Sequence, residues 1–275
     1  MGVKLAVLGA AIALATPVSH GVDFLRARQL TEGSFAEPGR TGYPQLTAWA
    51  ALGLRAAGQS PSSRAAAIKY FVVHEPDLKS ATDIALVALA EQALGGDADR
   101  SLARLQALER PDGSFDGLVN GTAWSVLALR SRGSPVPPKT VRWLLAHQAR
   151  AGGWSWSPHG AADSNDTAAV VQALRAANVK GRPIRNAIRF LLGFHNRDGG
   201  FELTHGRGSD AQSTAWAVQA FVAAGMKPPR TAFTYLKRLQ RPDGSFRYST
   251  RYTTTPVWVT AQALMALARK PLPFR

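Results

Sequence analysis

Residues 240–246 read QRPDGSF. An amide side chain is followed by a proline that fixes φ, an aspartate that can bond its own backbone, a glycine free to turn left-handed, and an aromatic ring. Such a string predicts a tight turn, and the turn recurs. TEGSF, RPDGSF, ARAGGWSW and NRDGGF carry the same small pair followed by an aromatic, with leading glycines at Gly33, Gly113, Gly152 and Gly199 ahead of Gly244. The intervals are 80, 39, 47 and 45 residues, the first being two periods with a degenerate unit between, which makes six units. Self-similarity at such a period marks a repeat architecture.

Four residues before the glycines stand Gln29, Glu109, Gln148, His195 and Gln240. The segments leading to them, such as VRWLLAHQ and IRFLLGFH, space their apolar residues at three and four, the pattern of a helix with one buried stripe. Downstream, counting six residues from Thr47, Thr82, Thr122, Thr167, Thr214 and Thr260 lands on Gly53, Ala88, Ala128, Ala173, Ala220 and Ala266. The next residue is Leu54, Leu89, Leu129, Leu174, Phe221 or Leu267. Each unit therefore reads as an outer helix, a turn and an alanine-rich inner helix, over about 22–58, 63–95, 99–133, 138–178, 183–226 and 229–270. The threonines, and Asp166 or Ser213 just before them, are expected to cap the inner helices. Units of this length stack as an open superhelix or close into a ring, and spacing alone allows both.

With 275 residues and 45% hydrophobic content the chain can bury a large core. It contains no cysteine, which excludes disulfides, thiolate nucleophiles and thiolate metal sites. A net charge of +15 favours anionic surfaces, so an envelope surface is an expected partner. The basic residues are scattered along the chain and form no run, which reads as a solvated cationic exterior and not as a nucleic-acid binder. A monomer is expected. Lys4, the apolar run LAVLGAAIALA and the small-x-small site Ala13–Leu14–Ala15 read as an export signal over residues 1–20. The apolar run is too short to span a bilayer, so the rest of the chain, 21–275, reads as one exported domain.

The Gln-x-x-x-Gly-x-aromatic signature at Gln29–Phe35, Gln148–Trp154 and Gln240–Phe246 resembles the repeat of the prenyltransferase and squalene-cyclase superfamily. The resemblance implies an all-α fold, an α6/α6 toroid of six helical hairpins. It also implies that the glutamine ties one outer helix to the next and that the aromatic stacks beneath it. In a closed ring the inner helices start at one mouth, where their N–H ends favour anionic or acidic groups. The lumen they enclose would run the length of the helices, about 20 Å.

The fourth unit, ADSNDTAAVV, resembles the acid motif Asp-x-Asp-Asp-Thr-Ala of squalene-hopene-type cyclases, with Asp163, Asn165 and Asp166 at the three acidic places. The middle aspartate of that motif is the proton donor, and Asn165 has no acidic proton. The leading reading is therefore a toroid that binds an apolar or amphipathic small molecule without converting it. Isoprenoids are candidate guests, as are corrinoids, from the resemblance of exported relatives in the transcobalamin group. The alternatives are a cyclase with Asp163 or Asp166 as displaced acid, and a cell-surface adhesion module. Asp210 echoes Asp163 in the fifth unit, four residues before its threonine. Both read either as a shared polar site at the mouth or as helix caps. Trp49, Trp124 and Trp216 each follow their threonine by two, which places rings about the upper cavity or between helices. HGAAD and HGRGSD bring His159 and His205 near those aspartates, but with unequal spacing, and read as surface loops; no metal and no cofactor is predicted.

Overall fold

The computed structural model describes residues 16–274. Its helices pair in chain order: α1 (Pro17–Arg26) with α2 (Pro44–Ala56), α3 (Arg64–His74) with α4 (Ala81–Ala93), α5 (Asp99–Ala107) with α6 (Val119–Ser131), α7 (Pro138–Ala146) with α8 (Ser164–Ala176), α9 (Arg182–Leu192) with α10 (Ala211–Ala223), and α11 (Arg230–Arg238) with α12 (Pro256–Leu267). The even-numbered helices pack in a closed cycle, each on the one before and α12 back onto α2. The fold is an all-α toroid, not an open spiral. Sequence separates the two layers. The outer α9 buries only Ile184, Ala187, Ile188 and Leu191, a stripe at helical spacing. The inner α8 is buried on nearly every side, and its alanines allow neighbouring helices to come close.

The repeated turn is the joint between units. Gln29 Nε2 donates to Ser63 O at 2.8 Å and Gln148 Nε2 to Pro183 O at 2.9 Å, in each case at the start of the next outer helix. Glu109 substitutes an ion pair with Lys139 (3.0 Å), and His195 a contact of its Nε2 with Thr231 Oγ1 (3.0 Å). Gln240 Nε2 reaches Pro17 O at 2.8 Å, which joins the last unit to the first and closes the ring. Gly244 stands at φ +86°, and a Cβ there would overlap the carbonyl of His20 in α1. The turn needs glycine for its backbone angle and for this close approach.

The threonines do not cap their helices. Thr47, Thr122, Thr167, Thr214 and Thr260 lie a turn inside, fully buried, and each Oγ1 accepts the N–H of the turn aromatic at 2.9 Å. The aromatics Phe35, Phe115, Trp154, Phe201 and Phe246 are thereby fixed in the core with no exposure. Caps come from other residues: Ser80, Asp163 and Asp210 each accept an N–H three residues on. Thr82 is also out of register. It is the second residue of α4, whereas Thr47, Thr122, Thr167 and Thr214 are the fourth residues of theirs, so Ile84 holds the equivalent place. The small-large pair of that unit is consequently Ala90–Glu91, and the buried Glu91 accepts a hydrogen bond from Ser101 Oγ at 2.9 Å.

The leader read over residues 1–20 falls mostly on residues 1–15, outside the described residues. Of that span, Thr16 caps α1 through its contact with Ser19 N, and residues from Pro17 form α1. At the far end of the ring, where inner helices finish, the chain's own tail closes the barrel. Leu272 is 3% exposed and its N–H donates to Gln172 Oε1 at 2.8 Å. Residues 128–141, 173–185, 220–233 and 264–274 at this end hold no acid, but include Arg130, Arg132, Lys180, Lys227, Arg269 and Lys270. The α4–α5 connection at the same end carries Asp97 and leads into Asp99, and Asp99 pairs with Arg132 at 2.8 Å, so this end is of mixed charge.

The joint yields a stability prediction. Gly244→Ala should lower the free energy of unfolding by more than Gly58→Ala, because Gly58 has φ +72° with nothing within 4 Å. The left-handed backbone alone costs about 1–2 kcal/mol, and only Gly244 adds the overlap with α1. Urea unfolding of both variants checks the order, and equal losses would refute the joint.

Candidate functional site

The inner helices begin at one mouth of the ring. Their second residues include Gln45, Thr82, Asn120, Asn165 and Gln212, and four further on come Trp49, Leu86, Trp124, Ala169 and Trp216. On α12 the same face is held by Trp258 and Gln262. All of these line one cup of about 520 Å³, with Asp163, Asp166, Leu203 and the exposed Trp156 at its edge. Positions four apart share a helix face, which is why two tiers of six staves meet around one space.

Its floor is an indole cluster. Trp49, Trp124 and Trp216 come from alternate inner helices and meet edge to face across the axis, with centroids 5.5, 5.7 and 5.6 Å apart and planes at 86–87°. Trp258 lies nearly parallel to Trp49 at 6.3 Å. The three central rings are only 4–5% exposed. A lumen running the length of the helices therefore does not exist: the tryptophans close it about two turns in. Nor do the helix starts offer a free set of N–H groups. Ala81 N donates to Asp116 Oδ2 (2.6 Å), Ser164 N to Leu203 O (3.1 Å), Ala211 N to Tyr248 O (2.7 Å) and Val257 N to Glu37 Oε2 (2.9 Å). Each acceptor comes from the next unit around the ring, so the mouth's partial positive charge is largely spent on the fold.

The carboxyl pair sits in the wall. Asp163 caps α8 by accepting Asp166 N at 2.9 Å. Asp166 is 7% exposed, and its Oδ1 accepts from Asn120 Nδ2 at 2.7 Å, while Asn120 Oδ1 accepts from Thr82 Oγ1 at 2.8 Å. Burial pushes the Asp166 carboxyl up to about 8, helped by the charge of Asp163 and opposed by the Asn120 bond. At neutral pH it holds its proton. Asn165, beside it, also lines the cup.

Asp210 does not join this site. It caps α10 through Ser213 N (2.7 Å), binds Ser213 Oγ (2.8 Å), and faces a separate cleft with Arg207, Tyr248 and Arg251. Burial raises its pKa. The two aspartates are equivalent caps on adjacent helices, with no common cavity. His205 stacks on Phe194 at 4.4 Å and His159 is exposed on its loop. Among the described residues no three His, Asp or Glu side chains gather as a metal site.

No family model matches this chain, and no curated protein does. Solved structures do. The chain is similar to type II terpene cyclase MstE from Scytonema, with TM-score 0.72, 16% identity, and coverage of 92% of this chain and 96% of that one. The chain has the terpene-cyclase toroid fold. A variant of the same cyclase in complex with geranylgeranyl dihydroxybenzoate matches with TM-score 0.69 and 17% identity, covering 92% and 95%. A protein from Actinoplanes matches with TM-score 0.68 and 23% identity, covering 92% and 98%, and a glycosidase variant with TM-score 0.65 and 10% identity, covering 92% and 95%. At these identities the likeness concerns the fold.

Sequence reasoning brought Asp163, Asn165, Asp166 and the three tryptophans to the mouth, and the structure gathers them around one cup. It missed Thr82, Asn120 and Gln262. Gln262 follows Thr260 by two, as the tryptophans follow their threonines, and Asn120 precedes Thr122 by two, whereas Thr82 aligns with the cup face only as the second residue of α4. Asp166 gives a pH prediction. The unfolded chain releases this proton near 3.8 whereas the folded chain keeps it to about 8, so the folded state binds more protons across that window. Its contribution to stability is full below the lower value and is lost as pH rises toward the upper one. Asp166→Asn removes that loss, so its stability relative to wild type should climb from about pH 4 to about pH 8 and then level off. Urea unfolding across pH tests this, and parallel curves would mean that Asp166 ionises normally.

Proposed function

We propose that this protein takes an apolar or amphipathic small molecule, of isoprenoid character, into the cup and holds it without converting it. The observation that carries the reading is the indole floor: a cup of about 520 Å³ whose base is three interlocked tryptophans beneath a rim of amide side chains. Volume and chemistry are those of a small-molecule pocket, apolar below with a few polar groups above. The neighbouring cyclase's complex with a geranylgeranyl compound supports an isoprenoid guest. The amide at Asn165 supports retention without turnover, since it has no proton to deliver to an alkene.

One observation favours a second reading. Asp166 is a carboxyl that keeps its proton at neutral pH in the wall of an aromatic cup, which suits a displaced acid for proton-initiated cyclisation. Its O–H proton would pass to an alkene carbon whose π pair forms the new C–H bond. Loss of a proton from the resulting cation would restore the acid. The geometry favours holding over this chemistry, because Asp166 is tied to Asn120 on one side and lies against Asp163 on the other.

The remaining parts of the reading concern place. A leader ending at Ala15 would leave Thr16 and all of α1 to the toroid, which supports export. The net charge of +15 supports contact with an anionic envelope surface.

Two variants decide between the readings. Ala169→Trp adds an indole at floor level, where the wild-type residue is 3% exposed. It should weaken binding of an isoprenoid probe, followed by tryptophan quenching, at least about tenfold, while the fold is kept because the added ring fills existing space. The double change Asp163→Asn with Asp166→Asn should leave probe binding within about twofold. If the wild type instead forms a cyclic product from the probe and the double variant does not, the catalytic reading replaces the first.

A further inference from the structure

Gln262 stands in the cup wall on α12 and is 1% exposed, yet neither its amide oxygen nor its amide nitrogen has a hydrogen-bond partner. Trp258, one turn earlier on the same face, has an unpartnered indole Nε1–H. Buried polar groups are almost always paired, because an unpaired one forfeits its bonds to water without replacement. Other interior amides keep at least one partner, even Gln219, whose Oε1 is unpartnered but whose Nε2 donates to Ala215 O at 3.4 Å. Gln172 Oε1 accepts from Leu272 N at 2.8 Å, and Asn120 bridges Thr82 and Asp166. The floor beside Gln262 consists of indole rings, whose faces cannot satisfy an amide.

We propose that Gln262 and Trp258 form a recognition site for a hydroxyl group on an otherwise apolar guest. The inference rests on the reading of the cup as a binding site. A hydroxyl carries one donor and two acceptor lone pairs. It can donate to Gln262 Oε1 while accepting from Gln262 Nε2–H and Trp258 Nε1–H, which matches all three unpartnered groups. A ketone or ether has no hydrogen to offer Oε1. An ionised carboxylate lacks one too, and adds charge to a wall that already holds Asp163. A hydrocarbon satisfies none of the three. Because Gln262 lies in the same tier as Trp49, Trp124 and Trp216, the hydroxyl is received at floor level and the hydrocarbon chain extends toward the rim. The guest class is therefore an isoprenoid alcohol that enters with its oxygen leading.

Farnesol and the matching hydrocarbon farnesene separate this inference from the reading beneath it. With the wild-type protein, calorimetric titration should show farnesol binding at least about tenfold more tightly than farnesene, the consequence of filling buried polar groups that the hydrocarbon leaves unpaired. Gln262→Leu keeps the volume and removes two unpaired polar atoms. It should bring the two affinities within about twofold, with farnesene bound as well as before or better. Trp258→Phe keeps a ring, removes only one donor, and should reduce the preference partly; it also serves if the leucine variant does not fold. A wild type that binds both molecules without preference, or a preference that survives in both variants, overturns the hydroxyl site and leaves the cup intact. If neither molecule binds the wild type, the cup reading fails and this inference with it.

Discussion

The structure depends on the contact between the end of one outer helix and the beginning of the next. A side chain four residues before the turn glycine reaches the start of the following outer helix, and the glycine itself allows the two backbones to touch. Repetition of that contact fixes the angle between successive units. The angle decides whether a solenoid spirals or closes. Here the last instance, Gln240 on Pro17 O, lands on the first unit, so the constraint that sets the local geometry also completes the ring. The alternative side chains at Glu109 and His195 show what is essential. A polar reach across the joint is kept while the residue type varies.

Closure has a second seam at the mouth. The first backbone N–H groups of several inner helices are accepted by the loop of the next unit, ending with Glu37 of the first unit on Val257 and Trp258 of the last, at 2.9 and 3.0 Å. These helix starts are thus stabilised by their neighbours, in addition to the caps that Ser80, Asp163 and Asp210 supply from their own segments. Two consequences follow from one economy. The ring becomes cooperative, since no unit caps its own inner helix fully. The mouth loses most of the electrostatic attraction for anions that parallel helix ends would otherwise give it. What remains to attract a guest is apolar surface and a ring of amides.

The fold was legible because its signals are local and repeated: turn glycines, helical stripes, and small residues where helices touch. The site was partly legible for the same reason, since Asp163, Asn165 and Asp166 sit at a recognisable helix start. The rest was hidden by two physical facts. The threonines share a place in sequence but serve the aromatic turn, so using them as an origin slipped the second unit by two residues and hid Thr82 from the cup. The spacing places the tryptophans about the upper cavity or between helices, and their meeting across the axis depends on side-chain reach from three staves at once, which no single segment encodes.

The amide at position 165 acquires its meaning from these neighbours. A third carboxyl beside Asp163 and Asp166 would have to ionise or hold a proton within a half-buried cluster, and each added negative charge would raise the others further. With Asn165 in place, Asp166 keeps its proton and the charge of Asp163 is turned toward the start of α8, where it caps the helix. The wall carries one carboxylate fewer than the motif would give it, with Asp83 and Asp163 still at the cup. Those carboxylates and the indole floor together favour an uncharged, greasy guest over an anionic one, whichever fate that guest meets. The substitution that removes the expected acid is therefore also the one that makes the cup a better solvent for hydrocarbon.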